Sequence, residues 1–91
     1  MKVKFFATYR DITRRKDEEI TAPPDVYRLL VDLGERYGAA FKAKLLTPDG
    51  KDIGKDTIIM VNGRNVFHLD GINTALTEAD VVSIFPIVAG G

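Results

Sequence analysis

Apolar and polar residues alternate from the start of the chain: Val3, Phe5, Ala7 and Tyr9 would share one side of an extended segment, with Lys4, Phe6 and Thr8 on the other. That period of two predicts a half-buried strand over residues 2–9, with Phe6 on its wetter side. The charged stretch DITRRKD then reads as a turn, the solvated tip of an amino-terminal hairpin whose second strand fits Glu18 to Thr21. The period changes at APPDVYRLLVDLGERYG, where Val26, Leu29, Leu30, Leu33 and Tyr37 recur at helical spacing behind Asp25, a good N-cap that follows two prolines. Gly38 supplies the stop, and Gly34 inside the helix costs about 1 kcal/mol relative to alanine. AAFKAKLL adds a short turn of helix with Phe41 and Leu45 as its apolar contacts.

TPDGKDIGKD is a turn-rich connector. TIIMVNGRNV after it reads as two strands joined at Asn62-Gly63, residues that accept the positive φ of a type I′ hairpin, with Ile59 and Val61 on one side. FHLDGINTALTEAD is irregular, and VVSIF is a last short strand stopped by Pro86. The order strand, strand, helix, strand, strand, strand predicts an α+β domain with a single core. A right-handed crossover from the hairpin through the helix puts the last strand parallel to the first at the sheet centre. The result is a β-grasp: a mixed sheet of four to five strands with one main amphipathic helix packed on one face.

The same alternation assigns the other face. If Val82 and Ile84 face the helix, then Val81, Ser83 and Phe85 face away from it, as Phe6 does on the first strand. Phe6 and Phe85 would then sit on adjacent central strands on the uncovered side. No connecting segment is long enough to shield a whole sheet face, so this aromatic pair reads as a docking surface.

Composition narrows the chemistry. The chain has 91 residues, 45% of them apolar, which suits one self-sufficient domain over residues 1–91. Thirteen basic side chains balance thirteen acidic ones, leaving no global field to draw it onto nucleic acid or anionic membrane. There is no cysteine, which removes disulfides, zinc-thiolate sites and thiol nucleophiles together. His68 is the only histidine, so no metal site or Ser/His arrangement is expected, and no glycine-rich nucleotide cradle occurs. The opening MKVKFFATYR lacks a signal-peptide core and no long apolar run follows, which sets a cytoplasmic protein as the expectation.

What remains is the ending FPIVAGG, expected to form a flexible tail over residues 86–91. A terminal carboxylate resists nucleophiles, but transfer to AMP converts it into a mixed anhydride that sulfide, thiol or amine can attack. Gly90 and Gly91 suit that use, because a thread without Cβ atoms enters a channel closed to any side chain. The six residues after Phe85 span about 20 Å when extended, enough to reach a neighbouring active site from a docked domain.

VNGRNV and GINTALTEADVVSIFPIVAGG, with the opening MKVKFFATYRDI, resemble the ubiquitin-like sulfur carriers, and most closely the small subunit of molybdopterin synthase. The resemblance implies a ubiquitin-like β-grasp that is non-catalytic on its own and binds no cofactor. It implies three partners: an adenylating enzyme of the ubiquitin-activating type that consumes ATP, a sulfur donor, and the large catalytic subunit of molybdopterin synthase. By matching position Gly91 bears the acyl-adenylate and then the thiocarboxylate, Gly90 is the second glycine of the thread, Val88 and Ala89 line the partner's channel, and Phe6 and Phe85 are apolar contacts. Ile87 departs from the pattern, standing where many synthase subunits carry a second proline. The segment LDGINTALTEAD also resembles sulfur carriers of cysteine biosynthesis and archaeal small modifiers conjugated to lysines. A protein modifier and a plain β-grasp binding module therefore stand beside the carrier reading.

Overall fold

A computed structural model describes residues 1–87 and contains five strands and three helices. In chain order these are β1 (Lys2–Phe5), α1 (Thr8–Thr13), β2 (Asp17–Glu19), α2 (Val26–Tyr37), α3 (Ala39–Leu45), β3 (Thr57–Val61), β4 (Arg64–Asn65) and β5 (Val81–Pro86). Two single turns of 3-10 helix, Val66–His68 and Gly71–Asn73, order the segment ahead of β5. The strands form one mixed sheet in the order β2-β1-β5-β3-β4, with β5 parallel to β1 and antiparallel to β3. This is the expected β-grasp.

α2 forms where its periodicity predicts. Asp25 is its N-cap, accepting the Arg28 N–H at 2.9 Å, and Val26, Leu29, Leu30 and Leu33 are all buried against the sheet. Each such side chain contributes roughly 1.5–3 kcal/mol by leaving water. Gly34 does not interrupt the helix, for a reason that lies in packing: a Cβ there would stand 2.8 Å from Cβ of Lys42. The missing side chain lets α3 cross close to α2, and α3 in turn buries Phe41 and Leu45. The other half of the core comes from the sheet, through Val3, Phe5, Ile59, Val82 and Ile84. At the far hairpin Asn62 and Gly63 adopt φ values of 52° and 83°, as the Asn-Gly turn requires.

Three expectations need correction. The first strand ends at Phe5, and residues 8–13 form α1, so the charged run is not a hairpin tip. Ala7, at φ 52°, breaks the extended backbone; the Tyr9 and Arg10 N–H groups then donate to the carbonyls of Phe6 and Ala7. Tyr9 is buried as alternation requires, but from a helix. Second, β2 spans Asp17–Glu19 rather than Glu18 to Thr21. Third, β5 continues through Pro86, which pairs in register with Thr57. The Ile84 carbonyl accepts from Phe6 on the β1 side, whereas Ile87 donates to Asp56 on the β3 side. The N–H that Pro86 lacks would therefore point toward β1, where the Phe6 carbonyl is already taken by Tyr9. The remainder of the expected tail, Val88 to Gly91, lies outside the described residues.

Candidate docking face and tail root

The parallel register sets Lys2 beside Val81 and Phe5 beside Ile84, and Phe6 continues the outward-facing row that Lys4 begins. Its N–H donates to the Ile84 carbonyl at 3.2 Å, holding Phe6 beside β5 after β1 has ended. The rings of Phe6 and Phe85 stack, with centroids 4.3 Å apart and planes 12° from parallel. Both are half-buried. The Arg10 guanidinium lies 5.9 Å from the centre of the Phe6 ring, and its Nε donates to the Phe5 carbonyl at 3.4 Å.

Across β3, Ile58 stands opposite Phe85 and Met60 opposite Ser83, both partly exposed on the same face. The patch is thus Phe6, Phe85, Ile58 and Met60, flanked on the β2 side by Lys2, Lys4, Asp17 and Glu19. Sequence reasoning brought the two phenylalanines together but missed Ile58, Met60 and Arg10. The signal for the first two was present: if Ile59 and Val61 face the core, their neighbours must face away. Arg10 had none, because its position depends on α1.

The strand bearing Phe85 ends beside a small cleft of about 260 Å³ lined by Tyr9, Lys44, Lys55, Asp56, Pro86 and Ile87. The Ile87 N–H donates to the Asp56 carbonyl at 2.7 Å, and its side chain is 46% exposed. Beneath this point the Thr57 hydroxyl donates to the Lys44 carbonyl at 2.7 Å, so the Tyr9 hydroxyl, 2.6 Å from Thr57 Oγ1, supplies the proton of the next bond. Burial pushes the Tyr9 phenol up from its ordinary pKa of 10.0, which keeps it a donor. The chain leaves the sheet from a well-tethered point.

Four of the residues assigned to the site from sequence, Val88, Ala89, Gly90 and Gly91, lie outside the described residues. His68 sits exposed on a 3-10 turn with its ring edge-on to Phe67. Among the described residues no group of His, Cys, Asp or Glu could hold a metal ion, and no helix is long and apolar enough to cross a membrane.

Comparison with known proteins agrees with this architecture. The sequence model of the ThiS family matches residues 3–91. Small archaeal modifier protein 3 of Haloferax volcanii is 39% identical over 97 residues, an alignment covering 100% of this chain and 98% of that protein. The solution structure of small archaeal modifier protein 1 from Methanosarcina acetivorans superimposes with a TM-score of 0.84 at 30% identity, covering 99% of this chain and 94% of that one. A Pyrococcus furiosus protein provisionally assigned as molybdopterin converting factor, subunit 1, superimposes with a TM-score of 0.74 at 33% identity, covering 96% of this chain and 95% of its own.

Proposed function

This chain belongs to the ThiS family of ubiquitin-like sulfur carriers, and from that premise we propose that it carries sulfur as a thiocarboxylate on Gly91 for molybdopterin biosynthesis. The observation that carries the reading is the stacked Phe6–Phe85 pair on the uncovered sheet face, on the strand that leads into the Gly-Gly ending. A domain held at that face keeps its last residues pointed at one place in a partner.

The chemistry has two steps, both on the partner adenylating enzyme. The Gly91 carboxylate attacks the α-phosphorus of ATP, releasing pyrophosphate and forming the acyl-adenylate. Hydrosulfide released by the sulfur donor then attacks the acyl carbon and AMP leaves, so that one sulfur replaces one oxygen. The carrier supplies no general acid or base, only an unhindered carbonyl and a docking surface. The large synthase subunit would then take the loaded tail and present its sulfur to the pterin precursor. Likeness to the assigned molybdopterin converting factor supports that acceptor.

A second reading, conjugation of Gly91 to substrate lysines, is favoured by the full-length identity to small archaeal modifier protein 3. Both readings share the adenylate and differ in the nucleophile. Incubation with the cognate adenylating enzyme, ATP and a sulfur donor, read by intact mass, tests the common step: the native chain exchanges one oxygen for one sulfur, and a variant with one alanine added after Gly91 does not. Equal loading of both chains would overturn the assignment of Gly91. A ladder of covalent adducts in a cell lysate selects the modifier; a single band with synthase activity restored selects the carrier.

A further inference from the structure

β2 forms one edge of the sheet. It pairs only with β1, and the register fixes which of its backbone groups are used. Ile20 N–H donates to the Met1 carbonyl and Phe5 N–H to the Lys16 carbonyl, so residues 16, 18 and 20 turn their backbone inward. Asp17 and Glu19 turn theirs outward, and among the described residues nothing pairs with them. Beside this edge runs a groove of about 670 Å³ between β2 and α2, floored by Ile20 and Leu33 and rimmed by Glu19, Asp32, Glu35 and Arg36. Arg36 is already paired with Glu18, and Asp32 with Arg28 at 3.1 Å. The Glu19 carboxylate turns to the uncovered face, 3.9 Å from the Met1 ammonium, which leaves Glu35 to set the sign of the rim.

We propose that this groove receives an extended, basic segment of a partner protein, added to the sheet as a further strand beside β2. The outward N–H and C=O groups of Asp17 and Glu19 supply ladder bonds, the apolar floor takes one aliphatic side chain, and a lysine or arginine flanking it meets Glu35. The occupant is not a second copy of this chain. Edge-to-edge pairing of two copies would set acidic β2 against acidic β2, the arrangement by which charged edges resist self-association. The groove lies at the far edge of the sheet from β3 and the Ile87 exit, so both surfaces can be occupied together. The inference does not rest on the sulfur-carrier reading.

A synthetic peptide Lys-Thr-Ile-Thr-Lys, capped at both ends, is the probe, titrated into the 15N-labelled full chain. Saturable shifts confined to residues 17–21 and 31–36, with slowed exchange of the Glu19 amide and weaker binding at high salt, are expected. Glu19→Pro removes one outward donor at an edge position where proline is tolerated, and should weaken binding at least tenfold where Glu19→Gln does not. Glu35→Lys, on an exposed helix face, should weaken it about fivefold with the fold untouched. Absence of saturable shifts up to about 10 mM peptide, shifts centred on Phe6 and Phe85, or unchanged affinity in both Glu19→Pro and Glu35→Lys would overturn the proposal.

Discussion

Along β5, Val82 and Ile84 are fully buried beneath the helices, whereas Ser83 and Phe85, one residue away on the other face, keep part of their surface in water. The same division runs through β3, where Ile59 and Val61 are buried and Ile58 and Met60 are not. The two faces are built from interleaved residues of the same strands. Both are apolar at the centre, so hydrophobicity does not separate them; what separates them is that the apolar stripe of α2 packs on only one. A covered apolar face stabilises the fold, and an uncovered one retains that free energy for a partner.

The largest test of that division is a pair of neighbours. Ile84→Ala empties a site with no exposure and should cost about 3 kcal/mol of unfolding free energy in urea. Phe85→Asp, next in the chain, should leave cooperative unfolding in place and lower stability by about 1 kcal/mol, the loss of its stack with Phe6. Its cost is expected instead in binding to the partner proposed to dock on this face, weakened by about 2 kcal/mol or more in a titration. If Phe85→Asp unfolds the protein, the face is core and the division fails.

Tyr9 sharpens the comparison, since it stands where the covered face meets the exit of the chain. Its ring packs edge-on against Phe41 at 5.4 Å, and its hydroxyl reaches Thr57 beneath the Ile87 exit. Tyr9→Phe keeps the packing and removes one buried donor, leaving Thr57 still donating to Lys44. A loss of about 1 kcal/mol is expected by denaturant unfolding, with sulfur loading unchanged. Lost loading at full stability would mean that the tail root, and not only the open face, takes part in recognition.

The features legible in the sequence were those whose causes are local. α2 is announced by Asp25 and its apolar spacing, the β3–β4 hairpin by Asn62-Gly63, and the Phe6–Phe85 pair by parity along two strands. α1 was hidden because Tyr9 is buried either way: the alternation from Val3 to Tyr9 fits a strand, and nothing in the neighbourhood of Ala7 signals its positive φ. Gly34 looked like a weak point because the reason for it, Lys42 on α3, is eight residues further along. Pro86 looked like a terminator because its missing donor matters only if a neighbour needs it, and the Phe6 carbonyl is satisfied elsewhere. The chemical reading of Gly91 rests on sequence and family, since the docking face and the tail root are where the described residues end.

The smallest expected effect lies on neither face. Glu78 accepts from the Ala22 N–H at 2.7 Å and from the Met1 ammonium at 3.3 Å, and Asp80 from the Asn62 side chain and the Thr77 N–H, both at 2.8 Å. These bonds, the Ala22 N–H foremost for Glu78 and the Asn62 amide for Asp80, hold both carboxyls below their ordinary values of 4.5 and 3.8. A carboxyl whose pKa is lower folded than unfolded contributes stability that is complete above the unfolded value and lost as pH falls through the folded one. Unfolding midpoints should therefore be level near neutrality and decline below about pH 4.5. Glu78 is exposed and Asp80 only half-buried, so solvent screening keeps the contribution modest. In the Glu78→Gln, Asp80→Asn double variant the drop in urea midpoint between pH 6 and pH 3 should be smaller than in the native chain. An equal drop in both would assign the acid sensitivity to other carboxylates, such as Asp49, which is lowered chiefly by the hydroxyl of Thr47. Either way the acid sensitivity lies off the docking face, whose own apolar side chains, Phe6, Phe85, Ile58 and Met60, do not titrate.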